Sequence, residues 1–159
     1  MSDTTPKAPD MAQNSPETTQ NTPETTQGPA ASPTAVLNHI AVYVADLKIS
    51  TDFYQQVFDL PIIPEPFKKG RHTWFSLGPA GQLHLIQGPK TEEVHDKNEH
   101  ICFSVCAFDE FTDKLKARNI KYENWAGDPF AYGTRPDGIK QIYFKDPDGH
   151  WLEVNDDHK

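Results

Sequence analysis

Beyond residue 36 the apolar positions follow two different periods. Over residues 37–44, 72–77, 82–87, 99–106, 139–145 and 150–155 apolar and mixed positions alternate, as on strands with one buried face. Between the first two of these, Leu47, Phe53, Tyr54, Val57 and Phe58 recur at helical spacing behind Asp46, a residue suited to the N-cap. Phe108, Phe111 and Leu115 form a second helical stripe, with Asp109 as its expected cap and Asn119 as its stop near Arg118. Pro61 and Pro64 close the first helix and open an extended stretch through Phe67. Lys69 and Gly70 turn the chain, as do residues 78–81 and 146–149. Residues 121–125 read as extended and residues 126–138 as a long Gly/Pro-bearing loop. The order is β-α-β-β-β, and it occurs twice.

Residue spacing supports a true duplication. His39 and His100 are separated by the same offset as Val44 and Val105. Phe75 and Phe144 share a second offset with His84 and Glu153, and the difference falls where the second unit has its longer loop. The expected fold class is α+β, with units at about 36–88 and 98–156. Ile40, Val42 and Val44 lie on one face of the first strand, opposite His39, Ala41 and Tyr43. Ile101, Phe103 and Val105 likewise oppose His100 and Cys102, Leu83 and Leu85 oppose His84, and Leu152 and Val154 oppose Glu153. The apolar faces are expected beneath the helices and the mixed faces along a concave surface.

The remainder of the chain narrows the partners. Residues 1–34 are rich in Thr, Pro, Gln, Ser and Asn, and residues 14–20 are echoed by residues 21–27. Such a segment cannot bury enough apolar surface to offset ordering its backbone, so a disordered tail is expected. It has no apolar segment of signal-peptide type, and no run elsewhere approaches the ~20 apolar residues of a spanning helix, which favours a cytoplasmic protein and no membrane partner. The net charge of −8 lacks a basic stripe and argues against nucleic acid. Cys102 and Cys106, on one strand, would stand roughly 13 Å apart, too far for a disulfide, so both are expected as free thiols.

His39, His84, His100 and Glu153 are the candidate chemistry. A lone histidine on a strand is usually a hydrogen-bonded structural residue. Four potential ligands at repeat-equivalent positions, all on the mixed face, reverse that expectation. Three imidazoles and one carboxylate suit a divalent transition metal, and the set does not choose among Zn, Ni, Co, Mn and Fe.

With these residues in place, the chain resembles the vicinal oxygen chelate superfamily, the glyoxalase I, bleomycin-resistance and extradiol-dioxygenase group. The likeness is carried by residues 37–44, 50–54, 99–105 and 143–154, the last containing Asp146, Pro147, Asp148 and Gly149 before the strand that bears Glu153. It covers about residues 36–156. The resemblance implies paired βαβββ units whose sheets curl into a cup around a metal, with helices outside. It also implies a homodimer with the metal between units of different subunits, held by His39, His84, His100 and Glu153. In bacterial glyoxalase I the ligand matching His84 is a carboxylate, so the more positive shell expected here loses one potential base.

That resemblance implies a lyase or isomerase acting on a small oxygen-chelating substrate, such as the hemithioacetal of methylglyoxal, with Glu153 as the proton-abstracting base. Arg71, Trp74 and Arg135 are the candidate substrate-binding residues at the rim. His72 is a candidate supporting partner, while His95, His150 and His158 read as loop, turn and tail residues. Epimerisation, extradiol dioxygenation and thiol transfer to an epoxide antibiotic are the competing enzymatic readings. Metal-free antibiotic binding of the bleomycin-resistance type is the non-enzymatic one.

Overall fold

A computed structural model describes residues 35–89 and 94–158. The tail expected to be disordered, residues 1–34, lies outside the described residues.

The first sheet contains β1 (His39–Val44), β2 (Ile62–Ile63), β3 (His72–Ser76) and β4 (Gln82–Gln87), ordered β1-β4-β3-β2. The second contains β5 (His100–Ser104), β6 (Tyr122–Glu123), β7 (Gly133–Thr134), β8 (Lys140–Lys145) and β9 (Trp151–Asn155), ordered β5-β9-β8-β6, with β7 also on β8. Helix α1 (Leu47–Phe58) follows β1, and α2 (Phe108–Ala117) follows β5. This is the α+β architecture with two open, curled sheets.

The registers of the two sheets coincide. In the parallel pair β1–β4, His39 lies opposite Gln82 and Ala41 opposite His84. In the parallel pair β5–β9, His100 lies opposite Trp151 and Cys102 opposite Glu153. The antiparallel pairs agree as well: Trp74 faces His84, and Tyr143 faces Glu153. Because side chains alternate across a strand, a slip of one residue would have moved a ligand candidate to the helix side.

Local chemistry explains the element boundaries. Asp46 caps α1, its carboxylate accepting from Ile49 N at 3.0 Å. Asp59 ends α1 in the left-handed conformation, before Pro61 is reached. Helix α2 begins one residue ahead of the expected Asp109 cap: Ala107 is the N-cap and makes no side-chain bond. Phe108 is buried with Phe111 and Leu115, so core packing draws it into the helix. Asp109 and Glu110 then fall in the first turn, where carboxylates meet the positive end of the helix dipole. Asn119 is the stop, with φ 56°, while Ile120 N donates to Leu115 O at 2.9 Å. Within the expected long loop, Gly133 and Thr134 pair with Gln141 and Lys140, a strand too short to produce a period.

One apolar core joins both units. Val42, Val44, Tyr54, Val57, Phe75, Leu83 and Leu85 merge with Phe108, Phe111, Leu115, Ile142, Phe144, Leu152 and Val154. Phe58 of α1 stacks on Phe103 of β5 with ring centroids 4.1 Å apart. Among the described residues, no helix is long and apolar enough to cross a membrane.

Gly81 links the β3–β4 turn to β1. It has φ +115°, and a Cβ there would come within 2.6 Å of Asn38 O. The same oxygen accepts from Gln82 N at 3.1 Å, so the turn is held directly against the residue before His39. Gly81→Ala is expected to lower stability by about 1–2 kcal/mol, measured by denaturant unfolding. An unchanged midpoint would mean that the turn and β1 separate freely.

Candidate metal centre

The structure gathers the four candidate ligands as two pairs. His39 and His84, on neighbouring strands of the first sheet, have ring centroids 5.9 Å apart. His100 Nε2 and Glu153 Oε2, on neighbouring strands of the second, are 3.2 Å apart. Among the described residues, no three His, Cys, Asp or Glu side chains of one chain gather closely enough to hold a metal ion.

Hydrogen bonds fix which nitrogen each histidine offers. His100 Nδ1 lies 2.8 Å from Lys97 O, an acceptor, so Nδ1 is a donor there and Nε2 is the nitrogen that faces Glu153. His39 Nδ1 lies 2.8 Å from Asn38 Oδ1 and leaves Nε2 free in the same way. His84 differs. Its Nε2 is 2.8 Å from His72 Nδ1, so Nδ1 is the nitrogen without that bond. His84 is 5 % exposed, and burial, then the neighbouring His72 and His39, hold its imidazole below the ordinary value, although Glu65 opposes this. Neutral imidazole is the form that ligates a metal.

Glu153 is 6 % exposed and is held by three donors. Oε2 accepts from the Tyr143 hydroxyl at 2.7 Å. Oε1 accepts from Asn155 Nδ2 at 3.1 Å and from Cys102 Sγ at 3.3 Å. Gln141 Nε2 donates to the Tyr143 hydroxyl at 2.8 Å. Burial, then bonding to Glu153, raises the Tyr143 phenol, which stays protonated as a donor. Burial of its sulfur, then the Glu153 charge, pushes the Cys102 thiol up to about 12, so Cys102 is a wall residue and no nucleophile at neutral pH. Tyr143 and Asn155 were not expected as supports of Glu153. Their place on its mixed face, with Tyr143 at the repeat position of Trp74, is the signal that marks them.

The donor set fits a divalent transition metal. Bonds of ~2.0–2.1 Å at tetrahedral angles put neighbouring donor atoms about 3.4 Å apart, close to the His100–Glu153 separation. An imidazole nitrogen and a carboxylate oxygen at that distance can share one cation between them, a proton or a metal ion. The supporting carbonyls of Lys97 and Asn38 orient the rings as metal-bound histidines require.

The rim residues separate. Trp74 is brought into the first pair, its indole stacked on His84 at 3.9 Å and 5.1 Å from the His39 ring. Phe67, unforeseen, lies 6.1 Å from His84. Arg135 bonds Asp137 at 2.5 Å, and the Glu153 charge adds to the fields acting on it. Arg71 donates to Gln87 O at 2.8 Å, at the end of β4. Lys97 is ion-paired with Glu123 and lies over the rings of Trp151, Tyr143 and Trp125. A cavity of about 690 Å³ opens beside β6 and the last residues of β8 and meets this region through Tyr143 and Trp151.

Known proteins share this arrangement of strands. The chain is 31% identical over 120 residues to the metallothiol transferase FosB of Bacillus licheniformis, covering 75% of this chain and 73% of that protein. The crystal structure of the genomically encoded fosfomycin resistance protein FosX from Listeria monocytogenes superposes with a TM-score of 0.62 at 25% identity, covering 78% of this chain and 94% of that one. A lactoylglutathione lyase from Agrobacterium tumefaciens has the same fold, with a TM-score of 0.60 at 24% identity over 79% of this chain and 96% of that one. The family model for the Glyoxalase/Bleomycin resistance protein/Dioxygenase superfamily matches residues 36–154, and with the duplicated registers above this means that the chain belongs to that superfamily.

Proposed function

We propose that the protein is a metal-dependent enzyme of glyoxalase I type. The His39 and His84 pair of one chain faces the His100 and Glu153 pair of a second chain, and the homodimer holds one divalent transition metal per shared site. The observation that carries this reading is the coincident register of both units together with the 3.2 Å spacing of His100 Nε2 and Glu153 Oε2. The metal, when bound, supplies a Lewis acid for two adjacent oxygens of a small substrate.

The chain's own residues account for the remaining steps. Glu153 takes a proton from the substrate carbon at its carboxylate and returns it to the neighbouring carbon. Tyr143 and Asn155 hold that carboxylate in one orientation. His84 offers Nδ1, since Nε2 is bonded to His72. Arg135, within electrostatic reach of Glu153, is the candidate cation for a substrate carboxylate, and Arg71 is a secondary rim contact. Trp74 lines the first pair.

Metal content of protein purified without added metal, with turnover of methylglyoxal plus glutathione, tests the reading. Turnover is expected to disappear on chelation and to return on adding the metal back. Bound metal without turnover would remove the lyase assignment, and protein that retains no metal would remove the centre itself.

A second reading has support of its own. The His72–His84 bond favours a centre of three ligands, His39, His100 and Glu153, and the similarity to the metallothiol transferase brings in thiol transfer as the reaction. Thiol addition to fosfomycin, assayed beside methylglyoxal turnover, separates the two reactions.

A further inference from the structure

Trp74 carries a feature that the chelating ligands do not explain. It is 7 % exposed, and its Nε1 is the single buried side-chain nitrogen or oxygen without a hydrogen-bond partner among the described residues. Other buried polar groups are satisfied: Thr73 bonds Thr51 at 2.7 Å, Asp146 accepts from the Tyr54 hydroxyl at 3.0 Å, Glu153 from the Tyr143 hydroxyl at 2.7 Å and Asn155 Oδ1 from the Ser104 hydroxyl at 2.8 Å. An unpaired buried N–H costs about 1–3 kcal/mol, and native proteins rarely leave one without a use.

The repeat provides an internal comparison. Trp74 faces His84 across β3 and β4 as Tyr143 faces Glu153 across β8 and β9. The Tyr143 hydroxyl finds its acceptor on that partner at 2.7 Å. The Trp74 indole instead stacks on His84, with planes 16° apart. An indole N–H lies in the ring plane, so near-parallel stacking directs it past the imidazole. His84 Nε2 is in any case engaged by His72. The His39 and Phe67 rings stand 5.1 Å and 6.2 Å from the indole. A lone donor in an aromatic wall is the usual composition of a small-molecule site.

We propose that the Trp74 indole N–H donates a hydrogen bond to the bound small molecule, so that the site selects ligands bearing an anionic acceptor oxygen, of carboxylate or phosphonate type, beyond the adjacent pair that meets the metal. The inference rests on the oxygen-chelating metal site proposed above and adds the third oxygen. A polar group built to meet a ligand oxygen discriminates strongly against a ligand that lacks it.

Zinc-loaded full-length protein and its Trp74→Phe variant provide the test, with oxalate and acetohydroxamate as probes. Both chelate through two adjacent oxygens, and oxalate alone has further anionic oxygens. Trp74→Phe is expected to weaken oxalate about tenfold by titration calorimetry and to leave acetohydroxamate within about twofold. In the wild-type protein, nitrogen-15 spectra are expected to show the Trp74 indole N–H moving downfield with oxalate and remaining in place with acetohydroxamate. If Trp74→Phe does not fold, Trp125→Phe and Trp151→Phe assign that resonance by elimination.

Equal losses for the two probes, or an unmoved indole resonance with oxalate bound, would overturn the inference alone. Wild-type protein that binds neither zinc nor the probes would overturn the chelate reading, and the inference with it.

Discussion

Glu153→Gln should reduce kcat/KM on methylglyoxal plus glutathione by about 10³-fold or more. The substitution preserves size and removes an anion that three donors address. Tyr143 reaches Oε2 at 2.7 Å, while Asn155 and Cys102 reach Oε1 at 3.1 and 3.3 Å. An amide offers one acceptor oxygen and one donor nitrogen, so the donors on one side of the carboxylate would lose their acceptor. The proposed base is lost together with the negative charge beside His100 Nε2. Metal retention is expected to fall in parallel, by more than the ~10–100-fold typical of losing a supporting partner. Tyr143→Phe, which leaves the carboxylate charged, should cost less in both measurements. Steady-state kinetics and metal analysis of the same preparations decide the matter. Wild-type turnover and metal content in Glu153→Gln would dismantle both the shell and the assignment of the base.

The sequence reveals much of this centre because the centre is periodic. Alternation over residues 82–87 and 150–155 places His84 and Glu153 opposite Leu83, Leu85, Leu152 and Val154, and those four apolar residues are fully buried. The offset shared by Phe75 with Phe144 and by His84 with Glu153 becomes the matched pairing of β3–β4 and β8–β9. What stays hidden is what no period encodes. Lys97 O and Asn38 Oδ1, which set the histidine tautomers, are a backbone atom and a loop side chain. His72 does support His84, as the sequence suggested, but which nitrogens meet depends on cross-strand geometry, since the two residues belong to different strands. Asp109 looked like a cap because its residue type suits one, and the burial of Phe108 decided otherwise. Separation of the candidate ligands into two pairs could not be read from alternation either, because a strand pattern says which face a residue occupies and nothing about how far apart two such faces stand.

Asp146 is the residue whose loss should most damage the fold, because its carboxylate closes the turn between β8 and β9 and reaches Tyr54 of the other unit. Oδ1 accepts from the backbone N–H groups of Asp148 and His150, each at 2.9 Å. Oδ2 accepts from the Tyr54 hydroxyl at 3.0 Å and lies 2.9 Å from His150 Nδ1. Asp148 in turn accepts from Ala45 N and Ser50 Oγ, both at 2.7 Å. The turn between β8 and β9 therefore clamps the junction of β1 and α1 from the other unit. Tyr54 is 0 % exposed, and burial, then the Asp146 charge, raises its phenol well above the ordinary range, so it remains a donor at working pH. Asp146→Ala strands that hydroxyl and the turn N–H groups at once. The expected cost is about 3–5 kcal/mol by denaturant unfolding, against about 1 kcal/mol for Tyr54→Phe, which leaves the other bonds to Asp146 in place. The double variant should cost less than the sum, because removing the hydroxyl abolishes one of the penalties that Asp146→Ala imposes. A cost under about 1 kcal/mol for Asp146→Ala would show that the two units are held by Phe58, Phe103 and their apolar neighbours alone. Where the clamp does hold, the same variant should also loosen metal retention without touching any ligand, since the clamp fixes the two half-sites of one chain, on β1 and on the β8–β9 hairpin, in the relative position that the proposed two-chain sites require.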